Sequence, residues 1–222
     1  MVEAKINEEI SDKEMKYKLV IFDFDGTLAD SFPFFLSTIN DLANEYNFKK
    51  VNMEDIETLR GYDAMQLINH LGLPLWKVPF VGKSFKTKMA KNIDQIPLFS
   101  GVENMLQVLS NKGIILSLIT SNSYSNVYKI LNPNNMAFMV DPQCGTSLFG
   151  KRSKLKNILR KTKIDSSQAI YIGDELRDLQ ASNAENVAFG AVSWGYTRTD
   201  TLIKHSPTEM FYCIDEIIGK IV

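Results

Sequence analysis

Cysteine and histidine are scarce in this chain, with two of each among 222 residues. Cys144 and Cys213 lie far apart and lack the spacing of a zinc site, so we expect two reduced thiols. His70 and His205 stand outside any motif, and we expect them to be structural or solvent-facing. No apolar run approaches the roughly 20 residues that cross a bilayer. The first residues lack the apolar region of a secretory signal.

The chain also has no large excess of either charge. Its 25 basic and 26 acidic side chains give a formal net charge of −1, which gives no reason to expect a nucleic-acid or membrane partner. Hydrophobic residues make up 45% of the sequence and charged residues 23%, as in ordinary globular proteins. We therefore expect a cytoplasmic protein that binds neither nucleic acid nor membrane. Its oligomeric state does not follow from the sequence.

Apolar strand-like runs alternate with helical patterns from Ser100 onward. Ser100 and Glu103 fit a helical capping box, which predicts a helix over residues 100–113. Further helices are predicted through 127–131 and over 151–164 and 175–185, and strands at 19–22, 114–120, 136–140, 169–172 and 186–194. This alternation predicts an α/β fold with a doubly wound parallel sheet, a Rossmann-like core covered by helices on both faces.

Residues 32–96 have a different pattern. Two helical stripes occur there and no convincing strand; the stripes are Phe35, Ile39, Leu42 and Tyr46, then Ala64, Leu67, Ile68 and Leu71. Open α/β sheets bind ligands at the carboxyl edge. An insertion at this point is therefore expected to form a lid that covers a ligand site, and the alternative is a longer crossover connection with extra helices. We expect a polar tail over 1–16, the core over 17–31 and 97–222, and a small α-helical cap over 32–96.

Two aspartates follow the first predicted strand, in the stretch KLVIFDFDGTLAD. Side chains alternate along a strand, so Asp23 and Asp25 point to the same side. Carboxylates crowded in this way repel each other unless a cation lies among them. Carboxylates, waters and a substrate phosphate are ligands typical of Mg²⁺ rather than zinc. A carboxylate can also attack phosphorus as a nucleophile.

Three later segments carry complementary groups. Thr120-Ser121-Asn122 follows a predicted strand, and its hydroxyl and N–H groups suit an anion at the next helix N-terminus. Lys151 begins a predicted helix and can neutralise the charge of a phosphoryl group. Asp174 and Asp178 follow the strand predicted at 169–172. Together with the first motif, these segments predict phosphoryl-transfer chemistry.

The four segments resemble the four motifs of the haloacid dehalogenase superfamily, and the helical insertion resembles the cap of its phosphoglycolate-phosphatase-like branch. The resemblance runs from about Lys18 to the end of the chain. It implies a Mg²⁺-dependent phosphatase that acts on a small phosphorylated metabolite through an aspartyl-phosphate. The roles it implies are Asp23 as nucleophile, Asp25 as general acid/base, Thr120 with Ser121 and Lys151 around the phosphoryl group, and Asp23, Asp25, Asp174 and Asp178 around the metal. We also expect Gly26, Thr27, Ser121 and Asn122 to contact the substrate.

Two residues are matched less closely by the resemblance. The spacing from Lys151 to Asp174 is one that family members use, but the K-P-x-P pattern of this branch is missing, so Lys154 is the alternative lysine. Arg60 lies between two predicted cap helices, where related capped phosphatases have a loop that reaches the substrate. We expect Arg60 to bind a second anionic group of the substrate, the alternative being a solvated surface arginine.

Two other functions compete with hydrolysis. A phosphomutase would keep the phosphoryl group between two substrate positions, and a signalling domain would be phosphorylated on Asp23 without turnover. Receiver domains place their acceptor at a later strand end, where this chain has Thr120, so we favour the enzyme. Dehalogenation is disfavoured because that reaction has no alkoxide leaving group to protonate. An acid such as Asp25 would then have no role.

Overall fold

The computed structural model describes residues 16–147 and 150–222. Its centre is a five-stranded sheet in which all paired strands are parallel, in the order β2-β1-β3-β4-β5. The strands are β1 (Leu19–Phe22), β2 (Ile115–Leu118), β3 (Ala169–Gly173), β4 (Ala188–Val192) and β5 (Glu209–Phe211). The strand order reverses at β1, and open sheets of this order bind ligands at the carboxyl ends beside such a switch point.

The strands are apolar because both faces of the sheet are covered. All four residues of β1 are fully buried. Val20 and Phe22 belong to one hydrophobic cluster, whereas Leu19 and Ile21 belong to another on the opposite face. This confirms the predicted doubly wound α/β core.

The helices of the described residues follow the predicted alternation from residue 100 onward. They are α1 (Phe32–Tyr46), α2 (Ile56–Leu59), α3 (Ala64–His70), α4 (Val78–Lys91), α5 (Val102–Asn111), α6 (Tyr124–Met136), α7 (Lys151–Thr162), α8 (Leu176–Ala184), α9 (Thr199–Lys204) and α10 (Ile214–Ile221). α5 and α10 supply residues to the first cluster and α7 to the second, so helices lie on both faces of the sheet.

Residues 32–96 contain helices and no strand, as the pattern predicted. Their apolar side chains form a third cluster of their own, drawn from α1 to α4 and the connecting turns. Phe85 on α4 packs against both this cluster and the first one. The insertion therefore has a separate apolar interior that meets the sheet domain at α4.

Two local predictions were wrong. No strand forms at 136–140: α6 continues to Met136, and the chain then makes only isolated bridges with the edge of β2. The N–H groups of residues 137–139 donate to carbonyls of residues 133–136 in turns. Further on, Asp141 has a φ of 51° and Pro142 has no N–H, so no regular ladder forms there either.

The capping box predicted at Ser100 is also absent. Helix α5 begins after Gly101, which has a φ of 91° and makes no side-chain cap. Glu103 instead accepts hydrogen bonds from Asn132 at 2.9 Å and Asn135 at 2.8 Å, because α6 lies beside α5. The predicted polar tail over 1–16 falls outside the described residues except for Lys16, whose ammonium lies 3.1 Å from Glu209. Cys144 and Cys213 are free thiols, as expected.

The packing of α7 against the sheet generates a stability prediction. Ile158 on α7 is fully buried, whereas Ile203 on α9 is 50% exposed. We expect Ile158→Ala to lower the free energy of unfolding by about 2–5 kcal/mol, because it removes buried methyl groups and leaves a cavity. Ile203→Ala is the matched control and should change it by less than about 1 kcal/mol. Urea denaturation measures both; similar losses in the two variants would contradict the assignment of α7 to the core.

Candidate active site

The predicted site residues converge at the carboxyl edge of the sheet. Asp23 directly follows β1 and continues its ladder, since its N–H donates to the carbonyl of Ile172 at 2.8 Å. Asp174 directly follows β3, and Thr120 lies two residues beyond β2. Three neighbouring strands thus deliver polar side chains to one crevice.

Lys151 is the only basic side chain that contacts Asp23 within the described part of the chain. Its ammonium lies 2.7 Å from Asp23 Oδ2 and 3.5 Å from Glu175 Oε2, and it also contacts Asp178. Tyr171 donates its hydroxyl to Asp178 at 2.8 Å. Although burial favours the neutral amine, the carboxylates of Asp178 and Asp23 raise the pKa of Lys151. Lys151 therefore stays charged in a buried position.

The structure separates the two candidate lysines. Lys151 is 2% exposed and is the first residue of α7, which brings its ammonium to the carboxylates. Lys154 is half-buried and forms no salt bridge with any residue that the structure describes. The geometry favours Lys151 as the lysine of the third motif.

Asp23 and Asp25 have different surroundings although they leave the same strand. Burial raises the pKa of Asp23, and the nearby Lys151 ammonium opposes that rise. Asp25 has a neutral partner: Asn122 Nδ2 lies 3.3 and 3.1 Å from its two carboxylate oxygens. Burial raises the pKa of Asp25 as well. Asp25 thus holds a proton more readily than a solvated aspartate, beside a carboxylate that is paired with a cation.

Asn122 is itself held in place. Its Oδ1 accepts from the N–H of Ser123 at 2.9 Å and from Asn126 Nδ2 at 3.0 Å. Its backbone N–H donates to the hydroxyl of Thr120 at 2.9 Å. Ser121 is half-buried, and its carbonyl accepts from Lys86 of α4 at 3.3 Å. The Thr120-Ser121-Asn122 stretch therefore joins β2, Asp25 and the helical insertion.

Asp174 is completely buried between polar donors. Thr27 donates its hydroxyl at 2.9 Å, and the N–H of Tyr196 donates at 2.7 Å. Burial raises the pKa of Asp174 to about 8. A Cβ added at Gly26 would lie 2.4 Å from a carboxylate oxygen of Asp174. A Cβ added at Gly195 would lie only 2.1 Å from the Cβ of Asp174. Close backbone approach on two sides requires glycine at both positions.

The carboxylates can hold a divalent cation. Asp23, Glu175 and Asp178 each offer an oxygen, and these atoms lie within 4.8 Å of one another. Such a hard oxygen set suits Mg²⁺. The acidic side chains here, with Asp25 and Asp174 added, outnumber their basic neighbours Lys151 and Arg177, so a bound cation would relieve repulsion. Asp23 and Asp178 belong to the predicted metal set together with Asp25 and Asp174, and metal binding by all four stays a prediction.

Sequence reasoning missed four members of the site, which are Tyr171, Glu175, Arg177 and Tyr196. Glu175 pairs with Arg177 and Lys151; although burial would raise its pKa, these two cations lower it. Its position directly after Asp174 was the available signal. Tyr171 sits inside an apolar strand, and Tyr196 lies in a loop after β4, where no pattern marks them.

Arg60 lies at the boundary between the insertion and the core. Its guanidinium donates to the carbonyls of Tyr196 at 3.1 Å and Gly195 at 2.9 Å, and it pairs with Glu57. The N–H of Arg198 returns a bond to the carbonyl of Arg60 at 3.0 Å. Binding of a substrate anion by Arg60 stays a prediction, and the contacts seen here tie the insertion to the loop around Asp174.

A cavity of about 330 Å³ connects the carboxylates with the interior of the insertion. Asp25, Ser121 and Glu175 contribute to its wall on the core side, and the four helices α1 to α4 with their connecting turns form most of the rest. Because Asp25 lines the cavity, a ligand bound there would lie beside the crevice.

Comparison with known proteins identifies the family. The model of the haloacid dehalogenase-like hydrolases matches residues 20–192, and the chain belongs to that family, which confirms the predicted resemblance. A phosphoglycolate phosphatase of Synechococcus elongatus is 26% identical over 189 residues, covering 85% of this chain and 89% of the relative. One of Xanthomonas campestris is 28% identical over 201 residues, covering 82% and 86%.

Solved structures agree with the fold. A chain from Lactobacillus plantarum superposes with a TM-score of 0.79 at 23% identity, covering 93% of this chain and all of that one. A haloacid dehalogenase-like family protein of Streptococcus pneumoniae gives a TM-score of 0.75 at 21% identity, covering 92% and 98%. Among the residues that the structure describes, no helix has the length and apolar character needed to cross a membrane.

The buried ion cluster generates a second prediction. Lys151→Met removes the counter-ion of Asp23 and Asp178, so we expect a loss of about 3–5 kcal/mol in unfolding free energy at neutral pH without metal. The loss should shrink as the pH falls, because burial raises the pKa of the Asp23 carboxyl, which needs no counter-ion once it is protonated.

Lys154→Met is the matched control and should change stability by less than about 1 kcal/mol. Urea denaturation from pH 5 to pH 8 measures both variants. Equal stability of Lys151→Met and the unsubstituted chain would show that the ammonium does not compensate these carboxylates.

Proposed function

We propose that this chain is a Mg²⁺-dependent phosphatase that hydrolyses a small phosphate monoester through an aspartyl-phosphate on Asp23. The observation that carries the proposal is the difference between the two aspartates after β1. Asp23 lies 2.7 Å from a buried ammonium, while Asp25 is bound by the amide of Asn122. Neighbouring carboxyl groups with such different partners suit the separate tasks of nucleophile and acid.

The reaction follows from these two environments. An oxygen of Asp23 attacks phosphorus, the bond from phosphorus to the alcohol oxygen breaks, and Asp25 donates its proton to that oxygen. Asp25 then takes a proton from water as the water oxygen attacks the aspartyl-phosphate. The carboxylate of Asp23 and inorganic phosphate are the products, and Asp25 is protonated again.

Positive charge is needed around the transferring group. Lys151 supplies one charge next to Asp23. Bound Mg²⁺ would neutralise charge on the phosphoryl oxygens, held by Asp23 and Asp178 with Asp174, Glu175 or the carbonyl of Asp25. Gly26, Thr27 and the Thr120-Ser121-Asn122 stretch lie beside this position and are proposed to orient the phosphoryl group.

The helical insertion completes the proposed enzyme. Residues 32–96 form the cap, and residues 17–31 and 97–222 form the core. The separate apolar cluster of the insertion and its contacts through Arg60 and Lys86 support this division. Family membership and the relatives named phosphoglycolate phosphatase support hydrolysis of a small phosphorylated metabolite.

Release of phosphate from a panel of phosphate monoesters tests the proposal. We expect steady release with Mg²⁺, loss of release with EDTA, and recovery when Mg²⁺ is restored. An isomerised product without release would instead establish a phosphomutase. A stable phosphoprotein without turnover would establish a phospho-accepting domain.

The two aspartates should fail in different ways. Asp23→Asn should abolish turnover on every substrate, because the amide is not a nucleophile. Asp25→Asn should lower the single-turnover rate on an alkyl phosphate by roughly 10²- to 10⁴-fold. An aryl phosphate should lose less in the first step, since its leaving group needs little protonation.

Asp30→Asn is the control, because its carboxylate forms no salt bridge with a described residue. It should stay within about twofold of the unsubstituted enzyme. Equal losses on alkyl and aryl phosphates with Asp25→Asn would remove Asp25 as the acid, and turnover by Asp23→Asn would remove Asp23 as the nucleophile.

A further inference from the structure

The cavity beside the carboxylates is walled mainly by hydrocarbon. Its wall includes Asp25 of the core and Leu73 of the insertion. Most of its remaining wall consists of aliphatic and aromatic side chains from α1, α3 and α4, among them Phe35, Leu36, Ile39, Leu67, Val81 and Phe85. Its volume of about 330 Å³ falls within the range of small-molecule sites. A cavity of this kind binds apolar groups.

The basic side chains on this wall already have partners. Among the described residues that line the cavity, the cations are Arg60 and Arg177. Arg60 bonds two backbone carbonyls and Glu57, and Arg177 pairs with Glu175. Each of the three side-chain nitrogens of Arg60 donates to an acceptor within the protein, and Nε of Arg177 donates to Glu175.

Acidic side chains also line the cavity. Asp25, Asp63 and Glu175 contribute to the wall. A substrate carboxylate in this space would lose its hydration against a wall that is mainly hydrocarbon, and burial of an unpaired charge is costly. Most of this wall therefore suits an apolar group better than a second anionic group such as the carboxylate of phosphoglycolate.

We propose that the alcohol part of the substrate is an alkyl chain or apolar ring that occupies this cavity while its phosphate lies at Asp23. The proposal rests on the phosphatase function proposed above, because it names the substrate class of the same site. The reaction is hydrolysis of an alkyl or aryl phosphate with one water, giving the free alcohol and inorganic phosphate.

A homologous series of substrates tests the proposal. Ethyl, butyl and hexyl phosphate have alkoxide leaving groups of nearly equal basicity, so a difference in kcat/KM reports burial of the chain. We expect kcat/KM to rise about fourfold for each buried methylene group, and hexyl phosphate to be hydrolysed more efficiently than phosphoglycolate. A flat series, or a higher kcat/KM for phosphoglycolate, would overturn the proposal.

A glycine on the cavity wall provides a filling variant. Gly82 lies in α4, and an added Cβ there meets no atom within 4 Å, so a leucine has room. Gly82→Leu should reduce the ratio of hexyl to ethyl kcat/KM by tenfold or more. Gly219→Leu is the matched control: it lies in α10, away from the cavity, with the same open space. The control should leave the ratio unchanged, and an equal change in both variants would contradict the proposal.

Binding separates failure of this proposal from failure of the proposed function. Ethyl-, butyl- and hexylphosphonate resist hydrolysis, and calorimetry with Mg²⁺ gives their Kd values. Affinity that rises with chain length in a protein without turnover would uphold the apolar cavity and refute the phosphatase. Turnover with chain-independent affinity and kcat/KM would uphold the phosphatase and refute the apolar substrate.

Discussion

The structure depends on keeping several carboxylates together at the end of a buried parallel sheet. Asp23, Asp174 and Asp178 are almost completely buried, and burial of unpaired charge is unfavourable. Lys151 supplies the compensating charge, and because it starts α7 it ties that helix to β1 and α8. In the proposed mechanism, the same buried ammonium that permits the cluster also supplies charge for phosphoryl transfer. Stability and chemistry therefore share one interaction.

The backbone around this cluster is shaped by the need to approach Asp174 closely. Gly26 belongs to the first motif and Gly195 to the loop after β4, yet the backbone at both positions lies close against the side chain of Asp174. The loop that supplies Gly195 also presents its carbonyls to Arg60. A chain of contacts thus runs from Asp174 through this loop to the helical insertion, so the position of the insertion and the order of the carboxylate site are connected.

The sequence predicted the core and the main site residues because both follow from local patterns. Apolar runs ending in Asp23, Thr120 and Asp174 place these residues at strand ends, and parallel strands bring their ends to one edge. The strand at 136–140 failed because the N–H groups of residues 137–139 donate to carbonyls of residues 133–136 in turns and not to β2. Tyr196 was not predictable, since its role depends on how the loop after β4 folds back over Gly26. Such long-range contacts leave no periodic signal.

The core and the insertion contribute side chains of different polarity to the proposed site. The core edge offers carboxylates, an ammonium and amide groups, which suit the phosphoryl group common to every substrate of this kind. The insertion offers an apolar wall formed by α1, α3 and α4, where the alcohol part would lie. Phe32 and Phe35 pack edge-on against Tyr196 at 5.0 and 5.6 Å between ring centroids, so the apolar wall begins at the loop that binds Asp174. Changes in the side chains of the insertion can therefore alter which alcohol is accepted while the charged cluster, on which folding also depends, stays the same.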